Sequence, residues 1–136
     1  MQYSKKVMEY FSKPKHAKRM IGFSGKGKVG NPRCGDIMEV FIKVGKNKKG
    51  EDFIKEISFL TFGCAAAIAS SEAMCRIAKG KTIKEALKIT NQDIVNHLNN
   101  LPMVKIHCSV LGMEGLHKAI EDYENKKSLN KKNKTK

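Results

Sequence analysis

The strongest constraint on the fold is a change in the spacing of apolar residues at Cys64. Before it, residues 37–44 and 53–62 alternate apolar and polar side chains, which is typical of half-buried strands. A short stretch rich in lysine and glycine joins them, so the two segments are expected to pair as an antiparallel hairpin. After Cys64 the apolar residues recur every three or four positions, which indicates helices. The pattern predicts an α+β fold, a small antiparallel sheet with helices on one face.

Predicted helices flank the sheet on both sides in the sequence. They cover residues 4–11, 64–79, 82–89, a short segment from 91, and about 108–124. The last helix is expected to bury a stripe formed by Met113, Leu116, Ile120 and Tyr123. Residues 22–35 contain five glycines and a proline without periodicity, and are predicted to form a loop.

Size and charge divide the chain into a domain and a tail. The 136 residues suffice for one domain, and the net charge is +14. Residues 126–136 contain six lysines and no acidic residue, so they have little to bury. We therefore predict a domain over residues 1–125 and a disordered lysine-rich tail over residues 126–136.

Several classes of protein are excluded by composition. The longest apolar run, Cys64 to Ala69, is too short to span a membrane, and the charged first residues do not form a secretory signal. Four cysteines are too few for a disulfide scaffold, which favours reduced thiols and a cytoplasmic location. The positive charge comes from lysine with only three arginines, and no aromatic stripe accompanies it, which argues against nucleic acid as a partner.

Three cysteines lie at positions suited to binding a metal. Cys34 is in the glycine-rich loop, Cys64 lies between a strand and a helix, and Cys108 opens the final helix. A helix N-terminus favours the thiolate, which is the form that binds metals and attacks sulfur. Asp36 and His107 lie within two residues of these cysteines and can complete a four-ligand shell. Such a set suits zinc or iron in a sulfide cluster.

The identity of the fourth ligand bears on how firmly a cluster is held. A durable electron-transfer cluster normally has four cysteines, whereas Asp36 or His107 would replace one thiolate here. That replacement makes an iron–sulfur cluster easier to release. The ligand pattern therefore indicates a temporary holder.

Several separated motifs, in order, resemble the IscU/NifU-type iron–sulfur cluster assembly scaffolds. The matching runs are residues 3–7, 29–36, 61–64, 67–71, 79–81 and 104–109. This resemblance implies a SufE/NifU-like fold with a three-stranded antiparallel sheet. It also implies a transient [2Fe–2S] cluster held by Cys34, Cys64 and Cys108, with Asp36 and His107 as neighbouring ligand candidates.

The same resemblance implies a non-catalytic role with several partners. A cysteine desulfurase would deliver persulfide sulfur, and Cys108, with Lys105 and His107 nearby, is the best acceptor by local chemistry. The finished cluster would pass to apo iron–sulfur client proteins. An Hsp70-type chaperone pair is expected to recognise Leu101–Lys105, and a frataxin-like protein or a ferredoxin is a further expected partner.

Two other functions fit the same residues. One is a zinc-bound, SufU-like sulfur-transfer protein that accepts persulfide, with Zn²⁺ on the same ligands. The other is a structural-zinc module that binds RNA or protein through its lysines. Asp36 can also be a turn residue, His107 a structural histidine and Lys105 a solvated lysine.

The remaining cysteine and histidines are predicted to have structural or surface positions and no part in metal binding. Cys75 is predicted to pack in the core, because it is too far along its helix from Cys64 to share a metal. His16, His97 and His117 are expected at the surface.

Overall fold

A computed structural model describes residues 3–31, 36–101 and 107–134, without the side chains of Asn31, Asp36, His107, Cys108 and 130–134. Its elements, in chain order, are α1 (Lys5–Ser12), β1 (Gly25–Asn31), β2 (Asp36–Lys46), β3 (Asp52–Thr61), α2 (Ala65–Ala78), α3 (Ile83–Ala86), α4 (Asn91–His97) and α5 (His107–Lys134).

The three strands form one antiparallel sheet in the order β1-β2-β3. Met38, Val40 and Ile42 lie on one face of β2 and are fully buried, as their alternation predicted. Helices α2 and α5 cover this face: Gly115 of α5 approaches the Val40 side chain, and the Ser71 hydroxyl of α2 lies 3.5 Å from the sulfur of Met38. The predicted α+β class and the three-stranded sheet are confirmed.

Strand β1 corrects the prediction of a loop over residues 22–35. The sequence analysis missed this strand because its glycines replace the alternating apolar residues that normally indicate a strand. The structure explains their presence: a Cβ atom at Gly27 would lie 2.2 Å from the carbonyl oxygen of Gly115, and one at Gly25 would lie 2.2 Å from that of Ala119. Glycine in β1 therefore lets the backbone of α5 approach the sheet closely.

The helices after the sheet begin as the sequence predicts. Cys64 is the N-cap of α2, in extended backbone conformation. The predicted capping box of Thr82 and Glu85 opens α3, and Thr90 with Asp93 forms a second one at α4. Cys75 is fully buried in α2, which confirms its assignment to the core.

Helix α5 continues beyond its predicted end at Glu124. The backbone is helical through Lys134, where we predicted a disordered tail from residue 126. Two contacts account for the first part of the extension: Lys127 Nζ lies 2.8 Å from Asp52 Oδ2, and Lys126 pairs with Asp122 at 3.1 Å. Lysines of the supposed tail are thus held by acidic residues of the domain.

Among residues 3–31, 36–101 and 107–134, no helix combines the length and the apolar character needed to cross a lipid bilayer.

Candidate functional site

The predicted site residues fall at the ends of secondary-structure elements. Asp36 is the first residue of β2, Cys64 caps α2, and His107 and Cys108 are the first two residues of α5. Cys34 and Lys105 lie outside the described residues. For Asp36, His107 and Cys108 the structure fixes the backbone position but not the side chain.

The sheet register brings Asp36 and Cys64 to one end of the sheet. Asp36 pairs with the last residue of β1, and Thr61, the last residue of β3, pairs with Met38. Cys64 follows Thr61 by three residues and so begins α2 at this same end. We call this end, where β1 and β3 finish and β2 starts, the ligand end of the sheet.

Helix α5 starts at the ligand end as well. Along β1, Gly25 lies against Ala119 and Tyr123, whereas Gly27 lies against Gly115 and Ala119. As β1 advances from Gly25 to Gly27, its contacts on α5 move back by four residues, so α5 runs antiparallel to β1. Two residues of a strand and four residues of a helix both span about 6 Å, so the first residues of α5 lie level with Asn31 at the end of β1. Cys108 therefore shares this end with Asp36 and Cys64.

The Thr61 side chain fixes the turn that carries Cys64. Its hydroxyl donates to the carbonyl oxygen of Ile37 at 2.8 Å and accepts from the backbone N–H of Gly63 at 3.1 Å. One side chain thus connects the start of β2 to the residue before Cys64. Sequence analysis missed this role, although an alternating polar residue at a strand end is a recognisable signal.

The first turn of α5 is attached to α4. The Ser109 hydroxyl hydrogen-bonds the Asn91 side chain, and Ser109 is fully buried. Beyond this turn, Gly112 lies against Ser71 and Met74 of α2. The segment that places His107 and Cys108 is therefore held by two other helices.

Helix dipoles give the ligand end a positive potential. Cys64 is half-buried at the N-terminus of α2, and Cys108 is in the first turn of α5. The N-terminal end of a helix carries a partial positive charge and stabilises a thiolate near it. The arrangement suits two thiolates that bind a cation or attack sulfur. The described side chains alone contain no group of three metal-binding residues, and four of the five predicted ligands are not among them.

A second polar cluster corrects the surface assignment of two histidines. His16 Nδ1 lies 2.6 Å from the buried carboxylate of Glu72, which also accepts from the His16 backbone N–H at 2.8 Å and from Arg76 Nε at 2.8 Å. His97 is half-buried, with Nε2 2.9 Å from the Tyr10 hydroxyl. His117 is exposed, as predicted. The Glu72–Arg76 spacing of four residues on a predicted helix was the available signal.

Burial and hydrogen bonds act in opposite directions on these groups. Burial alone would raise the pKa of Glu72, but the hydrogen bonds from Arg76 and His16 outweigh it and hold that pKa below its ordinary value. Burial, and then the nearby Glu72 charge, raise the pKa of the Cys75 thiol well above its ordinary value. Cys75 is consequently a poor nucleophile, unlike a thiol at a helix N-terminus.

Several known proteins are similar to this chain over most of its length. The family model described as the NifU-like N-terminal domain matches residues 2–130. The chain is 48% identical over 121 residues to "Iron-sulfur cluster assembly scaffold protein IscU 1" of Archaeoglobus fulgidus, covering 89% of this chain and 76% of that protein. It is 45% identical over 130 residues to the IscU scaffold of Buchnera aphidicola (subsp. Acyrthosiphon pisum), covering 93% and 98%.

Two solved structures share the fold. The N-terminal part of a NifU-like protein from Brucella abortus matches with a TM-score of 0.69 at 16% identity, covering 90% of this chain and 94% of that one. A putative iron–sulfur cluster assembly scaffold protein for the SUF system of Fervidobacterium islandicum matches with a TM-score of 0.65 at 22% identity, covering 87% and 96%. With the family model matching nearly the whole sequence, the chain belongs to the NifU-like N-terminal domain family.

Proposed function

We propose that this protein is a scaffold on which an iron–sulfur cluster is assembled and from which it passes to apo-proteins. The single observation that supports this most directly is the convergence of Asp36, Cys64, His107 and Cys108 at the ligand end of the sheet. The names of the relatives, assembly scaffolds, agree with it and do not favour the zinc-transfer or RNA-binding alternatives.

The proposed cluster ligands are Cys34, Cys64 and Cys108, with Asp36 and His107 as candidates for the remaining position. Thiolates are the usual ligands of iron in sulfide clusters, and a carboxylate is a harder, weaker ligand for such a cluster. The proposed cargo is a [2Fe–2S] cluster. A mixed ligand set of this kind fits a cluster that is later transferred to another protein.

Sulfur arrives, in this proposal, as the persulfide of a cysteine desulfurase. The Cys108 thiolate attacks the terminal sulfur, the S–S bond of the donor breaks, and its electron pair leaves with the desulfurase thiolate. The product is a Cys108 persulfide. Two further electrons, from a ferredoxin-type partner, reduce its terminal sulfur to sulfide. Lys105 is proposed to lower the Cys108 pKa through its positive charge.

The partner that delivers sulfur needs a surface beside the ligand end. Phe62, two residues before Cys64, exposes 84% of its surface, and Val110, in the first turn of α5, exposes 37%. Exposed aromatic side chains commonly anchor protein interfaces. We propose that Phe62 contacts the desulfurase. The proposed chaperone segment, Leu101–Lys105, is described by the structure only at Leu101, which is buried.

The test is anaerobic reconstitution with ferrous iron, cysteine and a cysteine desulfurase. Wild type should gain visible absorption with matched amounts of bound iron and sulfide, whereas Cys64→Ser and Cys108→Ser should lose most of both. Cys75→Ala is the matched control, because it removes a thiol that is buried away from the ligand end. A colourless wild type that binds zinc alone would contradict the proposal.

Two further measurements separate sulfur delivery from cluster binding. Mass spectrometry after incubation with the desulfurase should place one added sulfur atom on Cys108. Phe62→Ser should slow reconstitution with the desulfurase and leave reconstitution with inorganic sulfide unchanged. Equal slowing by both routes would show that Phe62 acts on cluster binding and not on the partner.

A further inference from the structure

A cavity of about 550 Å³ lies beside β3, away from the ligand end. Its walls come from the segment before β1, from β2 and β3, and from the C-cap of α2. We call it the basic cavity; its lining includes Lys15, His16, Lys18, Arg19, Met20, Ile21, Lys43, Glu56, Ile57 and Lys79. Lys43 is 43 − 36 = 7 residues along β2 from Asp36, about 23 Å in a strand.

Positive charge dominates this cavity. Five lysine and arginine side chains line it, against the single carboxylate of Glu56. Lys43 pairs with Glu56 at 3.6 Å. The other four cations make no ion pair within the part of the chain that the structure describes. Like charges around one concave surface raise its potential and attract an anion.

The apolar residues of the cavity indicate which kind of anion fits. Ile21 exposes 90% of its surface at the rim, and Met20 and the buried Ile57 add further apolar atoms. Four of the five cations are lysines, whose ammonium groups act as mobile point charges. Phosphate groups are bound best by arginine, whose guanidinium group forms two parallel hydrogen bonds to them. Separate charges around an apolar surface match carboxylates spaced along a peptide that also carries an apolar side chain.

The backbone next to these cations is anchored at His16 and Ala17. Glu72 accepts hydrogen bonds from both the backbone and the ring of His16, and the carbonyl oxygen of His16 accepts from Phe59 N–H at 2.9 Å. Ala17 forms a parallel bridge with Phe59 at the edge of β3. Because these anchors already order the start of the segment, binding a ligand there costs less conformational entropy.

We propose that the basic cavity is a docking site for an extended acidic segment of a partner protein, with Asp and Glu side chains on Lys18, Arg19 and Lys79 and an apolar side chain on Ile21. The site lies far enough from Asp36 for such a partner to remain bound while the ligand end is loaded or emptied. Its existence does not depend on the proposed scaffold function.

The probe is a fluorescein-labelled eight-residue peptide of glutamates around two leucines, with affinity read from fluorescence anisotropy. The double variant Lys18→Glu/Arg19→Glu should weaken binding about tenfold, a loss that two charge reversals can supply. The matched control Lys48→Glu/Lys49→Glu makes the same change in net charge on the exposed turn between β2 and β3. Equal weakening by both variants would overturn the proposal, since binding would then follow net charge alone.

Two more measurements test the chemistry of the occupant. Ile21→Ser leaves the charge unchanged and should weaken peptide binding several-fold. The peptide should shift the amide resonances of residues 16–22 and leave those of residues 47–50 in place. If tripolyphosphate or a short RNA binds the cavity more tightly than the peptide, and Ile21→Ser does not weaken that binding, the assignment to an acidic protein segment is overturned.

Discussion

The Thr61 hydroxyl donates a 2.8 Å hydrogen bond to the carbonyl oxygen of Ile37, which joins the end of β3 to the start of β2. Thr61→Val keeps the shape of the side chain and removes this bond and the one from Gly63. We expect a loss of about 1 kcal/mol in the free energy of unfolding. We also expect slower cluster assembly, because the turn before Cys64 is no longer fixed. Urea denaturation and reconstitution rates measure the two effects.

Thr82→Val is the control for this experiment. It removes the hydroxyl that caps α3, at a comparable cost of about 1 kcal/mol, near Phe53 at the other end of β3. Assembly should then proceed at the wild-type rate. If both variants assemble equally slowly, stability and not the position of Thr61 sets the rate.

Gly27→Ala should move α5 away from the sheet. The added Cβ would meet the backbone of Gly115 and Ala119 at 2.2 and 2.6 Å, and backbone atoms cannot rotate out of the way. We expect a loss of about 1–3 kcal/mol in the free energy of unfolding. Reduced cluster binding should accompany it, because α5 carries His107 and Cys108.

Gly112→Ala provides the comparison within α5. Its Cβ would have only ordinary contacts, the nearest at 3.6 Å from the Ser71 hydroxyl. Alanine favours a helix over glycine by up to about 1 kcal/mol, so this variant should match or exceed wild-type stability. A Gly27→Ala protein as stable as Gly112→Ala would contradict the close approach of α5 and β1.

Asp36→Ala should slow the transfer of a reconstituted cluster to an apo-ferredoxin. The reason is that the variant lacks the hard carboxylate ligand proposed to make the cluster easy to release. Transfer is followed by the rise of the ferredoxin spectrum after mixing. Transfer as fast as in wild type, or faster, would count against this role of Asp36.

Glu72→Gln should destabilise the protein at neutral pH and much less in acid. The pKa of Glu72 is below its ordinary value of 4.5, so its ionised form stabilises the fold fully above that pH and progressively less as the pH falls through the folded-state pKa. Replacing a charged acceptor of hydrogen bonds costs about 1–3 kcal/mol. Unfolding free energies of both proteins from pH 7 down to pH 3 should converge; a constant difference would argue against an ionised Glu72.

Asp52→Asn should release the far part of α5. Burial disfavours the Asp52 charge, but hydrogen bonds from Lys127, Lys46 and Tyr123 lower the pKa to about 2 from 3.8. The stabilisation is therefore present above pH 3.8 and is lost as the pH falls through about 2. In the variant at pH 7, hydrogen exchange should become faster in residues 123–130. Unchanged exchange there would show that Asp52 does not hold the helix.

Sequence patterns predicted the hairpin of β2 and β3 and the starts of α2 and α5. Each of these has a local signal in the sequence, either the spacing of its apolar residues or the residues at its end. Strand β1 had none, since the property that matters, the absence of side chains facing α5, becomes visible only when the helix is in place. The same applies to the extension of α5, where Lys127 finds its partner Asp52 75 residues away in the chain. Composition alone could not reveal that pairing.

Cys64 and the strand-to-helix junction that carries it could be recognised from the sequence, but the partners of His16 in the second polar cluster could not. His16 lies 56 residues from Glu72, and the hydrogen bonds between them form only when the segment before β1 crosses α2 and the edge of β3. Long-range contacts of this kind depend on the topology of the fold. The spacing of apolar residues within one segment carries no information about which distant segments will meet.

The ligand end gathers residues from positions 36, 64 and 107–108, the last of them supplied by the final helix. Ribosomal synthesis therefore delivers the proposed ligands in sequence, and a nascent chain lacks the complete set until α5 has emerged and packed on β1. A chain that ends before α5 lacks two of the proposed ligands, His107 and Cys108, and is expected to hold no complete cluster.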